Sequence, residues 1–162
     1  MKKTLLIILV LSFVVSISNA QEKAHQIYSK DGNKISYKTM LFKDICNLPV
    51  NKISANDSVL FLWATYPQIK EALKVIESWG FKYKTVGFYW VKTNKKVDPE
   101  KMSKKSFFTG LGYWTRANPE QCLIATRGAP PRKAKNIPRL LISPRREHSR
   151  KPDEVYDLIK KL

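Results

Sequence analysis

From Val59 to Ala64 the chain is apolar at every position, reading Val-Leu-Phe-Leu-Trp-Ala before Thr65. Successive side chains of a β-strand point to opposite faces of its sheet. A strand apolar at every position must therefore be covered on both faces. This excludes a sheet with one wet face and calls for chain packed on each side of it. The flanking segments supply that cover. Pro67 suits a first helical turn, Ile69, Leu73, Ile76 and Trp79 then recur at three- and four-residue spacing, and Gly80 closes the helix. A second strand is expected from Phe81 through Val86, Phe88 and Trp90 to Lys92, with short apolar strands at residues 121–126 and 140–143. A short helix at residues 43–48 stops before Pro49, and Pro152 opens a final helix through Val155, Tyr156 and Ile159 to Leu162. The expected fold class is α/β, a mostly parallel sheet with flanking helices.

Composition sets the outer limits. A chain of 162 residues that is 43% hydrophobic and 11% aromatic is a folded single domain rather than a disordered tail. Lys and Arg number 30 against 13 acidic residues, a net charge of +17. Such an excess repels itself in a compact state and points to a polyanionic partner, nucleic acid first; a solvated lysine-rich surface has the same arithmetic. Residues 1–20 carry the three parts of a secretory signal: Lys2 and Lys3, an apolar stretch from Leu5 through Val15, and Ser18-Asn19-Ala20 as a cleavage site. The expectation is export to the periplasm or medium, with no stable membrane span once the leader is cleaved; an uncleaved anchor is the alternative. Cys46 and Cys122 read as buried thiols, although export would permit a disulfide. His25 and His148 stand apart from Cys or carboxylate at ligand spacing, so no metal site is expected.

Residues 21–38, with Asp31-Gly32-Asn33 at their centre, read as a linker or a weak hairpin ahead of a domain spanning residues 39–162. Residues 93–109 form a basic loop too long to be a mere connector, and residues 128–138 form a second basic loop broken by prolines. Trp63, Trp79 and Trp90 lie within strand or helix runs and are expected in the core.

Several strings carry more than composition does. FLWAT (61–65), WGFKYKTVGFYWVK (79–92), GLGYWTRANPEQCLIATRG (110–128) and REHSRKPDEVY (146–156) occur in this order, after Tyr37-Lys38-Thr39-Met40. Taken together this set resembles the MT-A-seventy family of adenine-N-6 methyltransferases over roughly residues 37–162. The resemblance implies a Rossmann-like methyltransferase sheet, here partial, that binds S-adenosylmethionine and methylates adenine in DNA or RNA. In-line methyl transfer to a weakly nucleophilic amine needs close positioning in a site that has expelled water. The family does this with an Asp-Pro-Pro-Trp motif before the position of Tyr37. No such string occurs in this sequence, and Asp98-Pro99-Glu100 is no substitute. By the resemblance, the family strand that holds the cofactor's ribose is expected after the last helix, beyond Leu162. The expectation is a family member that is impaired or inactive as this chain.

The resemblance assigns individual residues. Lys151 matches the lysine near the cofactor's methionine carboxylate, a charge-assisted contact; it also reads as an ordinary lysine of a first helical turn. Arg146 and His148 fall in the active-site loop on the cofactor side. Glu120 matches an acid near the acceptor nucleotide, or else a rim carboxylate offsetting Arg116. Tyr37 matches a residue that covers the target adenine, or else a linker aromatic. Arg116, Arg132, Lys133 and Lys135, with Trp114 for stacking, offer contacts to a nucleic-acid backbone, or form a solvated basic face. Three functions follow: a nucleic-acid adenine methyltransferase; a non-catalytic nucleic-acid-binding remnant or partner subunit, with a protein partner completing the sheet; or an exported basic protein of altered role.

Overall fold

The computed structural model of the chain describes residues 26–28, 34–36, 40–147 and 150–162. A small antiparallel hairpin comes first, β1 (Gln26–Tyr28) with β2 (Lys34–Ser36). Two short helices follow, α1 (Phe42–Cys46) and α2 (Val50–Ile53), then β3 (Ser58–Ala64). Pro67 lies in a 3-10 turn, Tyr66–Gln68, that leads into α3 (Ile69–Ser78). The long strand β4 (Lys82–Thr93), β5 (Glu120–Arg127), β6 (Leu140–Pro144) and the terminal helix α4 (Glu154–Lys161) complete the order.

Helix α3 ends as Gly80 requires. Gly80 takes a φ of 78°, its N–H donates to the Glu77 carbonyl, and the Phe81 N–H donates to the Ile76 carbonyl. Both bonds satisfy carbonyls that the last helical turn leaves open, and they turn the chain into β4 with Phe81 in the core beside Ile76.

The main sheet has the order β3-β5-β4-β6. Expected strand positions hold within a residue or two, and so does the α/β class; the pairing pattern needs correction. Strands β3, β4 and β6 run the same way, but β5 lies reversed between β3 and β4, so the sheet is mixed and two of its three ladders are antiparallel. The chain enters β5 at the end of the sheet where β4 leaves it. The connecting residues 94–119 therefore double back on that end instead of crossing the sheet.

The apolar run of β3 divides its side chains between two cores. Leu60 and Leu62 pack with Ile45, Val75, Ile76 and Trp79 from α1 and α3. Phe61 and Trp63 pack on the other face with Phe88, Trp90, and Val155 and Ile159 of α4. Strand β4 serves both cores by slipping its alternation. Between Val86 and Phe88 the register against β5 shifts by one residue, the extra residue being Gly87. Val86 then faces the α3 core, and Phe88 and Trp90 face the α4 core, although all three share one parity in the sequence. Among the described residues, no helix is long and apolar enough to cross a membrane.

Candidate functional site

The carboxyl ends of β3, β4 and β6 and the amino end of β5 meet at one end of the sheet, where open α/β sheets form ligand crevices. An open groove of about 700 Å³ lies there, lined by Trp63, Tyr66, Trp90, Lys92, Glu120 and Lys151 among others. β3 and β5 stop level with Tyr89 and Trp90 while β4 and β6 continue to Thr93 and Pro144, and residues 65–67 and 117–119 line the space beside that step.

Glu120, the first residue of β5, sits at the floor of this groove between two ammonium groups. Lys151 Nζ donates to its Oε2 at 2.5 Å, and Lys92 Nζ lies 2.7 Å from its Oε1. Each lysine rests on an indole. Lys151 Nζ is 5.4 Å from the ring centre of Trp63, and Lys92 Nζ is 5.2 Å from that of Trp90. Lys151 is only 6% exposed, a position where an unpaired ammonium is costly. Pro152 follows it directly and is itself fully buried, which fixes the backbone from which the lysine reaches. Burial by itself raises the Glu120 carboxyl; attraction and hydrogen bonding from Lys151, then from Lys92, outweigh burial and hold it below the usual carboxylate range. The group is an anion at neutral pH, acceptor-only, and oriented from both sides.

Asn118 fixes the entry to β5. Its amide accepts from the Lys92 N–H at 2.8 Å and donates to the Lys92 carbonyl at 2.8 Å, and it also donates to the Phe108 carbonyl. The backbone that carries Lys92 and the loop that carries Glu120 are thus bound at one point.

Arg146 borders the same groove and sends its Nη2 to both oxygens of Glu154, at 2.9 and 3.1 Å. Its Nε is buried without a partner among the described residues. Arg145 stacks its guanidinium 4.8 Å over the Phe108 ring. With one of three ammonium donors of Lys151 committed to Glu120, the groove retains N–H donor capacity on that lysine. These residues fit a ligand that carries a carboxylate or phosphate and amine donors.

Of the expected site residues, the fold brings Glu120, Lys151 and Arg146 together in the groove. Tyr37 and His148 lie outside the described residues. Trp114 is 92% exposed at the tip of the loop before β5, edge-on to Tyr113 at 5.5 Å, and Arg116 is exposed beside it. Arg132, Lys133 and Lys135 are exposed on the loop between β5 and β6, at the other end of the sheet, where the Lys133 N–H donates to the Leu162 carbonyl. The fold thus separates Arg132, Lys133 and Lys135 from Trp114 and Arg116. All three core tryptophans are buried, but Trp63 and Trp90 also floor the site, a second use that strand periodicity does not reveal. Lys92 and Asn118 are site residues that sequence reasoning missed; Lys92 follows directly on an apolar strand run, the one available hint. Both cysteines are free thiols, but only Cys122 is buried as expected, Cys46 being half-buried; burial pushes the Cys122 thiol far up, out of reactive range.

Residues 19–162 match the family model described as MT-A70. The Type II methyltransferase M.MunI of Mycoplasma sp is 37% identical over 128 residues, covering 78% of this chain and 49% of that protein. An N(6)-adenosine-methyltransferase MT-A70-like protein of Arabidopsis thaliana is 28% identical over 130 residues, covering 80% of this chain and 18% of that protein. The human N(6)-adenosine-methyltransferase catalytic subunit METTL3 is 29% identical over 118 residues, covering 72% of this chain and 18% of that protein. The chain spans about half the length of M.MunI and under a fifth of the plant and human relatives.

Proposed function

This chain belongs to the MT-A70 family, and on that premise we propose that its groove serves S-adenosylmethionine-dependent transfer of a methyl group to N-6 of adenine in nucleic acid. The observation that carries the proposal is the placement of Glu120 between Lys92 and Lys151 at the carboxyl end of the sheet. When bound, S-adenosylmethionine supplies an electrophilic methyl on sulfur. The chain's own residues do the positioning. Lys151 and Arg146, which both line the groove, offer N–H groups to the cofactor's carboxylate. Glu120, kept ionised, accepts a hydrogen bond from a donor on the acceptor nucleotide. Trp63 and Trp90 close the floor of the groove to water beneath the charges.

A second reading rests on the sequence. No Asp-Pro-Pro-aromatic string occurs in these residues, so they do not supply the acceptors that the family places on the reacting amine. On this reading the chain binds nucleic acid as an impaired enzyme or as a subunit beside a complete methyltransferase. Labelled methyl transfer to adenine-containing DNA and RNA, together with calorimetry of S-adenosylmethionine, separates the two. Micromolar cofactor binding with label at N-6 supports the enzyme. Salt-dependent retention on nucleic acid without cofactor binding supports the subunit. Neither binding overturns both.

A third reading rests on residues 1–20, which lie outside the described residues and carry the features of an export leader. Sequencing the mature amino terminus tests it: Gln21 in an exported fraction supports it, and an intact Met1 in the cytoplasm overturns it.

A further inference from the structure

Beside the groove lies a second depression of about 620 Å³, walled by Lys104, Lys105, Phe107, Phe108 and Arg145. The two hollows share Phe108 and Arg145 as a common wall. The lysines are not on a loose tether. They begin a 3-10 turn, Lys104–Ser106, closed by reciprocal bonds between Ser103 and Ser106. Asn94 ties that turn to the end of β4: its N–H donates to the Ser106 carbonyl at 2.9 Å and its side-chain amide to the Lys105 carbonyl at 3.1 Å. Phe108 is tied likewise, its N–H donating to the Lys92 carbonyl at 2.9 Å, and its ring carries the Arg145 guanidinium. That guanidinium has no hydrogen-bond or ion-pair partner among the described residues, so its N–H groups are available to the oxygens of an anion.

The charge in this hollow is unbalanced. Among the described residues, no carboxylate lies within ion-pair distance of Lys104, Lys105 or Arg145, so their charges add. These three cations line one shallow, open depression on anchored backbone. The loop bearing Arg132, Lys133 and Lys135 has comparable charge but stands at the far end of the sheet, away from both hollows.

We propose that Lys104, Lys105 and Arg145 form a phosphodiester subsite that seats the backbone of the nucleic-acid strand entering the groove. This rests on the reading that the groove takes nucleic acid. It fixes the side from which the strand approaches and separates the two basic loops, the one before β5 guiding substrate and the one before β6 not.

The test uses the full chain with fluorescein-labelled, adenine-containing single-stranded DNA and the matching RNA. The affinity of wild type, Lys104→Ala/Lys105→Ala and Lys133→Ala/Lys135→Ala is measured across a salt series. Single strands contribute about 0.7 to the slope of log affinity against log salt per neutralised phosphate, so the first variant should lower the slope by about 1.4. The second, losing the same charge, should leave it unchanged. Both pairs are exposed, and thermal melts of each variant beside wild type check that it remains folded. An unchanged slope in the first variant, or an equal fall in both, overturns the subsite while leaving nucleic-acid binding intact. Failure of wild type to bind either strand at low salt overturns the subsite together with the reading beneath it. Losses on DNA but not RNA, or the reverse, support the subsite and identify the strand it takes.

Discussion

The buried ammonium of Lys151 donates to the Glu120 carboxylate at 2.5 Å across 31 positions of sequence, and the two groups are unequal partners. Lys151 is 6% exposed and Glu120 is its one carboxylate among the described residues, whereas Glu120 is 28% exposed and has Lys92 as well. Removing either side of a buried pair costs chiefly through the charge left behind. Glu120→Ala strands Lys151 and is expected to cost about 3 kcal/mol, a fall in Tm of roughly 6–12 °C for a domain of this size. Lys151→Met leaves Glu120 paired to Lys92 and is expected to cost no more than about half as much. Thermal denaturation of the two variants checks the asymmetry, and equal losses would refute it.

The same clamp makes stability depend on pH with a definite sign. The folded Glu120 carboxyl lies below its ordinary value of 4.5, so the folded state favours the anion. Its contribution is complete above that ordinary value and is lost as pH falls through the lower folded value. The stability difference between wild type and Glu120→Gln is therefore expected to be level from neutral pH down to mild acid, then to shrink under more acidic conditions. Chemical denaturation of both proteins along a pH series measures it; a difference that grew in acid would contradict the clamp.

Asn118 joins the backbone at Lys92 to that at Phe108. Asn118→Ala is expected to leave the sheet folded, to cost about 1–3 kcal/mol, and to speed hydrogen exchange at residues 108–118 and at the Lys92 amide. Asn118→Asp keeps the acceptor but loses both donor bonds, so only the Lys92 amide should stay protected. Exchange followed by mass spectrometry distinguishes the two variants.

Gly87 is the residue on which β4 changes face. A Cβ there would come within 2.5 Å of both Cγ1 and Cδ1 of Ile124. Gly87→Ala should destabilise the domain by about 1–3 kcal/mol through overpacking, and Ile124→Ala in the same chain should recover part of that loss. A double-mutant cycle that showed simple additivity would mean that the two residues do not compete for this space.

Much of the fold was legible because burial is written locally. The uniform apolar run of β3, the three- and four-residue spacing of α3, and Gly80 each report a backbone conformation that needs no distant partner. The register shift at Gly87 was not legible. In the sequence Val86, Phe88 and Trp90 look like one face of one strand, and only pairing with β5 shows that Val86 faces the opposite side. The reversed placement of β5 was hidden for a similar reason, since a short apolar strand carries no mark of its direction.

For the site, the sequence alone determined which side chains are chemically able and, through ordered strings, the family to which the chain belongs. Tertiary structure alone decided which of the many cations face one carboxylate and which face solvent. It chose Lys92 and Lys151 for Glu120, seated them on Trp90 and Trp63, and divided two basic loops of similar composition between opposite ends of the sheet. The physical reason is range. Helix and strand periodicity arises from neighbours a few residues apart, whereas an ion pair needs atoms within 4 Å, a distance that only strand order, register and a completed chain crossing can impose.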